Sequence, residues 1–291
     1  MPTLTGRTAL VTGGARGIGY AIAAEFARHG CRVAIADRDE EAARAAVTAL
    51  PGEGCAFPLD VTDHGAFTQT LRHVEDHFGP ADILVNSAGI MPSGRFTEQN
   101  ASLAAAAVNV NLLGVMNGCR AALPLMLRRG SGRIVNVASA TALQPLAGLA
   151  AYSATKSAVL SFSGALRKEV RRSGVHVQVV LPYMTNTPAS AGLAPARGFR
   201  PVEPERVAVA VTGLLGGHRF SMCVPRAMGP ALTGLSLLPL WLQDFIDDVM
   251  RCDAIGLDAN RRHRAAYEEE LAAQECRPAV AKNLGRTGIS G

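Results

Sequence analysis

Short apolar runs rich in Val and Ile alternate along the chain with longer stretches of helical periodicity. TALVTG (8–13), RVAIAD (32–37), CAFPLD (55–60), DILVNSAG (82–89), RIVNVAS (133–139) and VHVQVVLP (175–182) are apolar at nearly every position. A strand with one wet face would alternate, so runs of this kind belong to parallel strands covered on both faces. Between them, residues 17–29, 39–49, 63–78, 99–129 and 151–172 read as helices, and RFSMCVP (219–225) follows a further helix at 203–216 as a seventh strand. Strand and helix in alternation predict βαβ units. The expected fold class is α/β, a doubly wound parallel sheet of about seven strands with helices on both faces.

The texture changes after residue 188. PASAGLAPARGFRPVEPE is rich in Pro, Gly and Ala and reads as a loop, while 229–275 is helical and amphipathic in part, and the chain from about Pro278 reads as disordered. We expect one domain over 1–255, with 184–250 as a substrate loop or lid, and a helical extension with a disordered tail over 256–291. A single α/β domain commonly reaches about 250 residues.

Charge and composition narrow the classes of partner. The net charge of +5 is mild for 291 residues, the arginines are scattered, and only 5% of residues are aromatic. Neither a phosphate-tracking stripe nor a set of base-stacking platforms is present, so nucleic acid is not an expected partner. Six cysteines lie far apart with no C-x-x-C pair and no histidine set beside them, which fits reduced thiols and no metal site. The N-terminal MPTLTGRTALVTGG runs into a glycine turn rather than a cleavage site. Late in the chain, GPALTGLSLLPLWLQ (229–243) is broken by Pro239, short of the roughly 20 apolar residues of a spanning helix. A cytoplasmic protein with no spanning segment is expected. Peripheral membrane contact through Trp241 and the leucines around it is left open.

The first candidate chemistry is VTGGARGIG, between the first strand and the first helix. Gly13, Gly17 and Gly19, with Arg16 and Ile18 between them, would let the backbone approach a pyrophosphate whose charge meets the helix N-terminus. Asp37 ends the second strand, 18 residues past Gly19, where a carboxylate can accept from ribose hydroxyls and repel a 2′-phosphate. That favours NAD. Arg16 and Arg38 pull toward NADP, because a guanidinium pairs with phosphate; a helix-capping role for Asp37 is the alternative.

The second is AYSATKSA (150–157), which places Tyr152 and Lys156 four apart on one helical face among small side chains. An ammonium beside a phenol favours the phenolate and is expected to lower its pKa, making an acid–base group near neutral pH. Ser139 ends the fifth strand, at the sheet edge where ligands bind in such folds.

TGGARGIG (12–19), NSAG (86–89), Asn111 in NLLG, Ser139 and YSATK (152–156), in this order, resemble the short-chain dehydrogenase/reductase family in its single-domain Rossmann-fold branch. The resemblance runs from about residue 5 to 190. It implies NAD(P)-dependent hydride transfer between an alcohol and a carbonyl. By motif, Tyr152 would be the acid/base, Ser139 the substrate-oxygen stabiliser, Lys156 the ribose-binding partner that lowers the tyrosine pKa, and Asn111 the holder of a relay water. Asp60 and Val61 of LDV would contact adenine, and Asn86, Ala88 and Gly89 the adenosine and ribose wall. Pro182, Thr185 and Thr187 of PYMTNTP would lie beside the nicotinamide.

Three departures from the family pattern stand out: Ser87 for the usual second Asn, Tyr183 for the Gly after Pro182, and a C-terminus that lacks the common glycine-rich ending after the seventh strand and runs instead through GLSLLPLWLQDFIDDVMR into a charged helix. The apolar 184–250 region suggests a lipophilic alcohol or ketone, such as a steroid, retinoid, terpenoid or long-chain carbonyl. Packing of 229–246 on the body or on a second subunit is the competing reading. A homodimer or homotetramer is implied by the family. Two other functions stay open: an NADPH-dependent 3-oxoacyl thioester reductase, and a dinucleotide-binding regulator that turns nothing over.

Overall fold

The computed structural model describes residues 3–260 together with 264, 267 and 269. Seven strands form one sheet: β1 (Thr8–Thr12), β2 (Arg32–Asp37), β3 (Gly54–Pro58), β4 (Ala81–Asn86), β5 (Gly132–Val137), β6 (Val175–Pro182) and β7 (Ser221–Val224). Their order is β3-β2-β1-β4-β5-β6-β7 and every pairing is parallel. The chain moves outward from β1 to β3 and then returns to start β4 on the other side of β1. That reversal opens a crevice beyond the carboxyl ends of β1 and β4, where ligands bind in open α/β sheets.

The near-continuous apolar runs are explained by what covers them. Ala9, Val11, Ile35 and Val85 point to one face, where they meet Ile22 and Phe26 of α1 (Gly17–Arg28), Ala43 of α2 (Glu40–Thr48) and Val211 of a helix late in the chain. Leu10, Ala34, Leu84 and Ile134 point the other way, onto Phe67 and Leu71 of α3 (His64–Phe78) and onto helices that follow β4 and β5. Alternate residues of each strand thus bury on opposite faces, and the whole run must be apolar.

The stretch read as a helix over 99–129 is helical from Ala101 to Arg129, but not α-helical throughout. It runs as α4 (Ala101–Val108), one π turn (Asn109–Leu113) and α5 (Gly114–Arg129). A π turn widens the helix by one residue, a feature common at functional sites, and here it carries Asn111. Residues Ala101–Arg129 are long and apolar enough to cross a membrane, a test that the core helix of a soluble protein also passes. Leu103, Ala107, Val115, Cys119 and Met126 of this stretch are buried within the molecule.

The catalytic-looking motif lies on α6 (Ala150–Val170), and α7 (Pro204–Leu215) supplies Val211 to the first face. The described part of the amphipathic 229–275 reading resolves into α8 (Met228–Leu235), α9 (Leu240–Met250) and α10 (Ala254–Leu257), and most of the helical extension expected over 256–291 lies outside the described residues. Pro239 and the left-handed Arg251, at φ 54°, bound α9. The tail expected from about Pro278 lies outside the described residues.

Candidate active site

A cavity of about 600 Å³ opens at the carboxyl ends of the central strands. Its floor is the glycine turn after β1. Thr12 fixes the neighbouring β4 loop, its hydroxyl accepting from Ser87 N–H at 3.2 Å and Ala88 N–H at 3.4 Å. Gly13 has φ +62°, and a Cβ there would stand 2.6 Å from Ala88 Cα. At Gly19 a Cβ would come within 2.1 Å of the Gly13 carbonyl oxygen. Backbone packs on backbone, so only glycine fits either position. Gly17, at φ +58°, starts α1, whose N-terminus has no side-chain cap. The first amides of a helix have no intrahelical partner, and here they open onto the cavity with Arg16, Gly17, Ile18 and Gly19 in its lining. The donor set fits the pyrophosphate of a dinucleotide.

Asp37, Arg38, Asp60, Val61, Ala88 and Gly89 line the same cavity. Asp37 does not cap α2. That role falls to Asp39, which accepts from Ala42 N–H at 3.1 Å, while Asp37 accepts from Ala15 and Asp39 N–H, both at 3.2 Å. The carboxylate therefore ties the glycine turn to the end of β2 while facing the crevice. Asp60 accepts from the Thr62 amide and hydroxyl at 2.9 and 2.7 Å. Asn86 corrects the sequence reading. It is 2% exposed, donates to Asn136 Oδ1 at 2.8 Å and is not in the cavity lining. Asn86 and Asn136 are register partners on β4 and β5, and the amides bridge the two strands beneath α5 rather than walling the crevice.

At the other end, Ser139, Tyr152 and Lys156 meet on one wall. The Ser139 hydroxyl lies close enough to the Tyr152 phenol to lower its pKa, and Lys156 Nζ lies 5.7 Å from the phenol ring centroid and donates to the Val137 carbonyl at 3.0 Å. The small residues of AYSATKSA do what their size allows: Ser153 and Thr155 are 2% exposed, so α6 lies close against its neighbours. Asn111 is fully buried behind this wall, bonded to Thr155 Oγ1 at 3.0 Å, and a Cβ on Gly89 would meet both Asn111 Oδ1 and Lys156 Nζ within 3.4 Å.

One electrostatic expectation is reversed in this form of the protein. Burial pushes the Tyr152 phenol up to about 12, against a downward pull from the Ser139 hydroxyl, and burial also brings Lys156 down to about 8. Desolvation disfavours both charged forms and is the largest cause of each shift. The phenol is therefore protonated at neutral pH.

Pro182, Thr185 and Thr187 line the cavity beyond β6. Tyr183, in the place of the usual glycine, accepts from Ala196 N–H at 3.3 Å and props the loop that follows. Apolar side chains dominate the far end, among them Leu149, Met184, Leu193, Leu232 and Ile246. Trp241 is not among them; it is 69% exposed on α9. Several lining residues escaped the sequence reading, Met91 and Tyr267 among them. Met91 follows the β4 loop, and Tyr267 reaches the cavity from a charged segment whose pattern carries no active-site signal.

The model of the short chain dehydrogenase family matches residues 7–198. A 2,5-dichloro-2,5-cyclohexadiene-1,4-diol dehydrogenase of Sphingobium indicum is 37% identical over 195 residues, 66% of this chain and 78% of that protein. The 3-oxoacyl-(acyl-carrier-protein) reductase of Rattus norvegicus is 41% identical over 177 residues, 61% and 75% of the two chains. Among solved structures, a short chain dehydrogenase/reductase from Burkholderia phymatum in complex with NAD aligns with TM-score 0.73 and 25% identity, covering 80% of this chain and 93% of its own. With the parallel sheet, the glycine turn and the Ser139, Tyr152, Lys156 wall in place, the match leaves one assignment: this chain belongs to the short-chain dehydrogenase family.

Proposed function

We propose that the protein is an NAD-dependent oxidoreductase that moves a hydride between the nicotinamide and a lipophilic secondary alcohol or ketone. The observation that carries this reading is the single cavity that joins the glycine turn and Asp37 at one end to Ser139, Tyr152 and Lys156 at the other. Gly13, Gly17 and Gly19 would hold the pyrophosphate, Asp37 the adenosine ribose, Asp60 and Val61 the adenine, and Thr185 and Thr187 the nicotinamide end. Bound NAD supplies the hydride acceptor and a positive charge beside the phenol.

Ser139 then orients the substrate oxygen. Tyr152, protonated near neutral pH, donates its proton to a carbonyl as the alcohol forms. In the oxidative direction it must take that proton back, which calls for added positive charge from Lys156 and the oxidised ring. Asn111 holds the backbone behind them and would seat a relay water. The apolar far wall supports a lipophilic substrate. The cavity-lining Arg16 and Arg38, together with the likeness to the Rattus norvegicus reductase, favour a second reading, NADPH-dependent reduction of a 3-oxoacyl thioester.

The test is a fluorescence titration with NADH and NADPH, followed by a screen of lipophilic alcohols and ketones with wild type and Tyr152→Phe. Tighter NADH binding and turnover lost in the variant, with NADH affinity kept, are expected. Turnover unchanged in Tyr152→Phe would refute the mechanism, and tighter NADPH binding would move the reductase reading first.

A further inference from the structure

Met91 has both of its backbone polar groups held by residues far along the chain. Its carbonyl accepts from Arg264, and its N–H donates to the Tyr267 hydroxyl at 3.2 Å. The other arm of the Arg264 guanidinium donates to Ala189 O at 2.7 Å. Met91 and Ala189 belong to different walls of the cavity, the loop after β4 and the loop after β6, and both line it. Arg264 is 4% exposed, and its guanidinium lies 4.6 Å from the centroid of the Tyr267 ring. A buried cation is costly unless its donors are satisfied, and a planar fork can span two carbonyls in a way a lysine ammonium cannot.

The contacts leading up to Arg264 run the same way. Arg197 N–H donates to Met250 O and Asn260 N–H to Gly192 O, both at 2.8 Å, stitching the end of α9 and the residues after α10 to the loop beyond β6. A Cβ on Gly256 would stand 2.3 Å from Ala147 O, so α10 lies backbone on backbone against the turn that precedes α6. Ile255 forms a small buried cluster with Leu149 and Ala196, against which Met91, Met184 and Tyr152 pack.

We infer that Arg264 and Tyr267 form a clasp over the substrate end of the cavity, in which Arg264 positions the two walls against each other and Tyr267 is a specificity-determining wall residue that limits substrate size. The inference rests on reading the cavity as an alcohol and carbonyl site. Tyr267 lines the same cavity as Tyr152 and holds Met91, which packs on the same small cluster as Tyr152, so it stands toward the reacting end. The clasp is built from residues beyond the family-matched 7–198, so it is a property of this chain's C-terminal part.

Two readouts test it. The first is hydrogen exchange of the full-length protein in its NADH complex, followed over 87–95 and 186–194. Arg264→Ala and Arg264→Lys should both speed exchange in these two loops about tenfold or more, with β1 and β4 unchanged. Tyr267→Phe, which keeps the ring and drops only the hydroxyl, should speed exchange at Met91 alone and guards against a misfolded Arg264 variant. The second readout is the dissociation constant of cyclohexanol and of decahydro-2-naphthol from the NADH complex, a dead-end complex that needs no turnover. Tyr267→Ala should shift the ratio of the two at least fivefold toward the bicyclic alcohol, with NADH affinity unchanged. Exchange that ignores every substitution overturns the clasp. A constant ratio overturns the specificity role. If neither alcohol binds any form that binds NADH normally, the alcohol-site reading fails and the specificity role with it, while the exchange result still decides the clasp.

Discussion

Asn111 hydrogen-bonds both backbone groups of Ile90: its Oδ1 accepts from Ile90 N–H at 2.8 Å and its Nδ2 donates to Ile90 O at 2.9 Å. The π turn between α4 and α5 is what turns the side chain toward the β4 loop. Asn111→Ala leaves those groups without their partner and removes the donor to Thr155 Oγ1, which itself keeps its bond to Tyr152 O. The expected loss is about 1–3 kcal/mol of stability, read by urea denaturation. A change below about 0.5 kcal/mol, the scale of an ordinary surface substitution, would show that the loop is held by something else.

Lys156 predicts a pH dependence. Its pKa falls from 10.5 in the unfolded chain to about 8 in the fold, through burial. Between those values the unfolded chain binds more protons, so this group's contribution to stability is full above about 10.5 and is lost as the pH falls through about 8. Tyr152 acts oppositely and higher, since its raised pKa makes stability fall as pH rises from 10 to about 12. The comparison that isolates the lysine is wild type against Lys156→Met, both free of dinucleotide, because Tyr152 is common to the two. Wild type should gain about 2 kcal/mol on the variant between pH 7 and pH 9.5. Parallel pH curves for the two proteins would mean that Lys156 keeps an ordinary ammonium.

The sheet was legible because its cause is local: a strand buried on both faces must be largely apolar, and the middle positions of β1, β2 and β4–β6 are. The glycine turn was legible because backbone contact at Gly13 and Gly19 admits no other residue. What the sequence concealed depends on distant neighbours. Asn86 carries the right motif position, but the burial of its amide against Asn136 is set by the β4–β5 register. The rise in the Tyr152 pKa comes from the depth of the wall, which no i, i+4 spacing encodes. Tyr267 reaches Met91 across 176 positions, and a helical pattern in its own segment does not say which distant loop it meets.

On the proposed function, Asp37 is expected to set the preference between dinucleotides. Its carboxylate faces the crevice in company with Arg16 and Arg38. Asp37→Asn keeps oxygen to accept from Ala15 N–H and removes the charge that repels a 2′-phosphate. The ratio of NADPH to NADH affinity should rise about tenfold or more, equivalent to about 1.4 kcal/mol. The measurement is the pair of dissociation constants from nicotinamide fluorescence, and an unchanged ratio would remove Asp37 from the ribose site.

Gly19 is the position where a single methyl group should do the most damage. A Cβ would stand 2.1 Å from Gly13 O and 2.8 Å from Gly13 C, and Gly13 is itself pressed against the Ala88 backbone. Neither neighbour is a flexible side chain that could swing aside, so the turn or α1 must move. Gly19→Ala should cost about 1–3 kcal/mol, the range for overpacking a dense interior, and weaken NADH binding tenfold or more because the amides of the turn lose their arrangement. Gly130→Ala is the matching control. Gly130 caps α5 in the left-handed region at φ +66°, where the nearest atom to a Cβ is Ser173 O at 3.8 Å. It should lose about 1 kcal/mol from backbone strain alone and bind NADH as wild type does. Equal effects of the two substitutions on NADH affinity would mean that crowding at the turn is not what shapes the dinucleotide site.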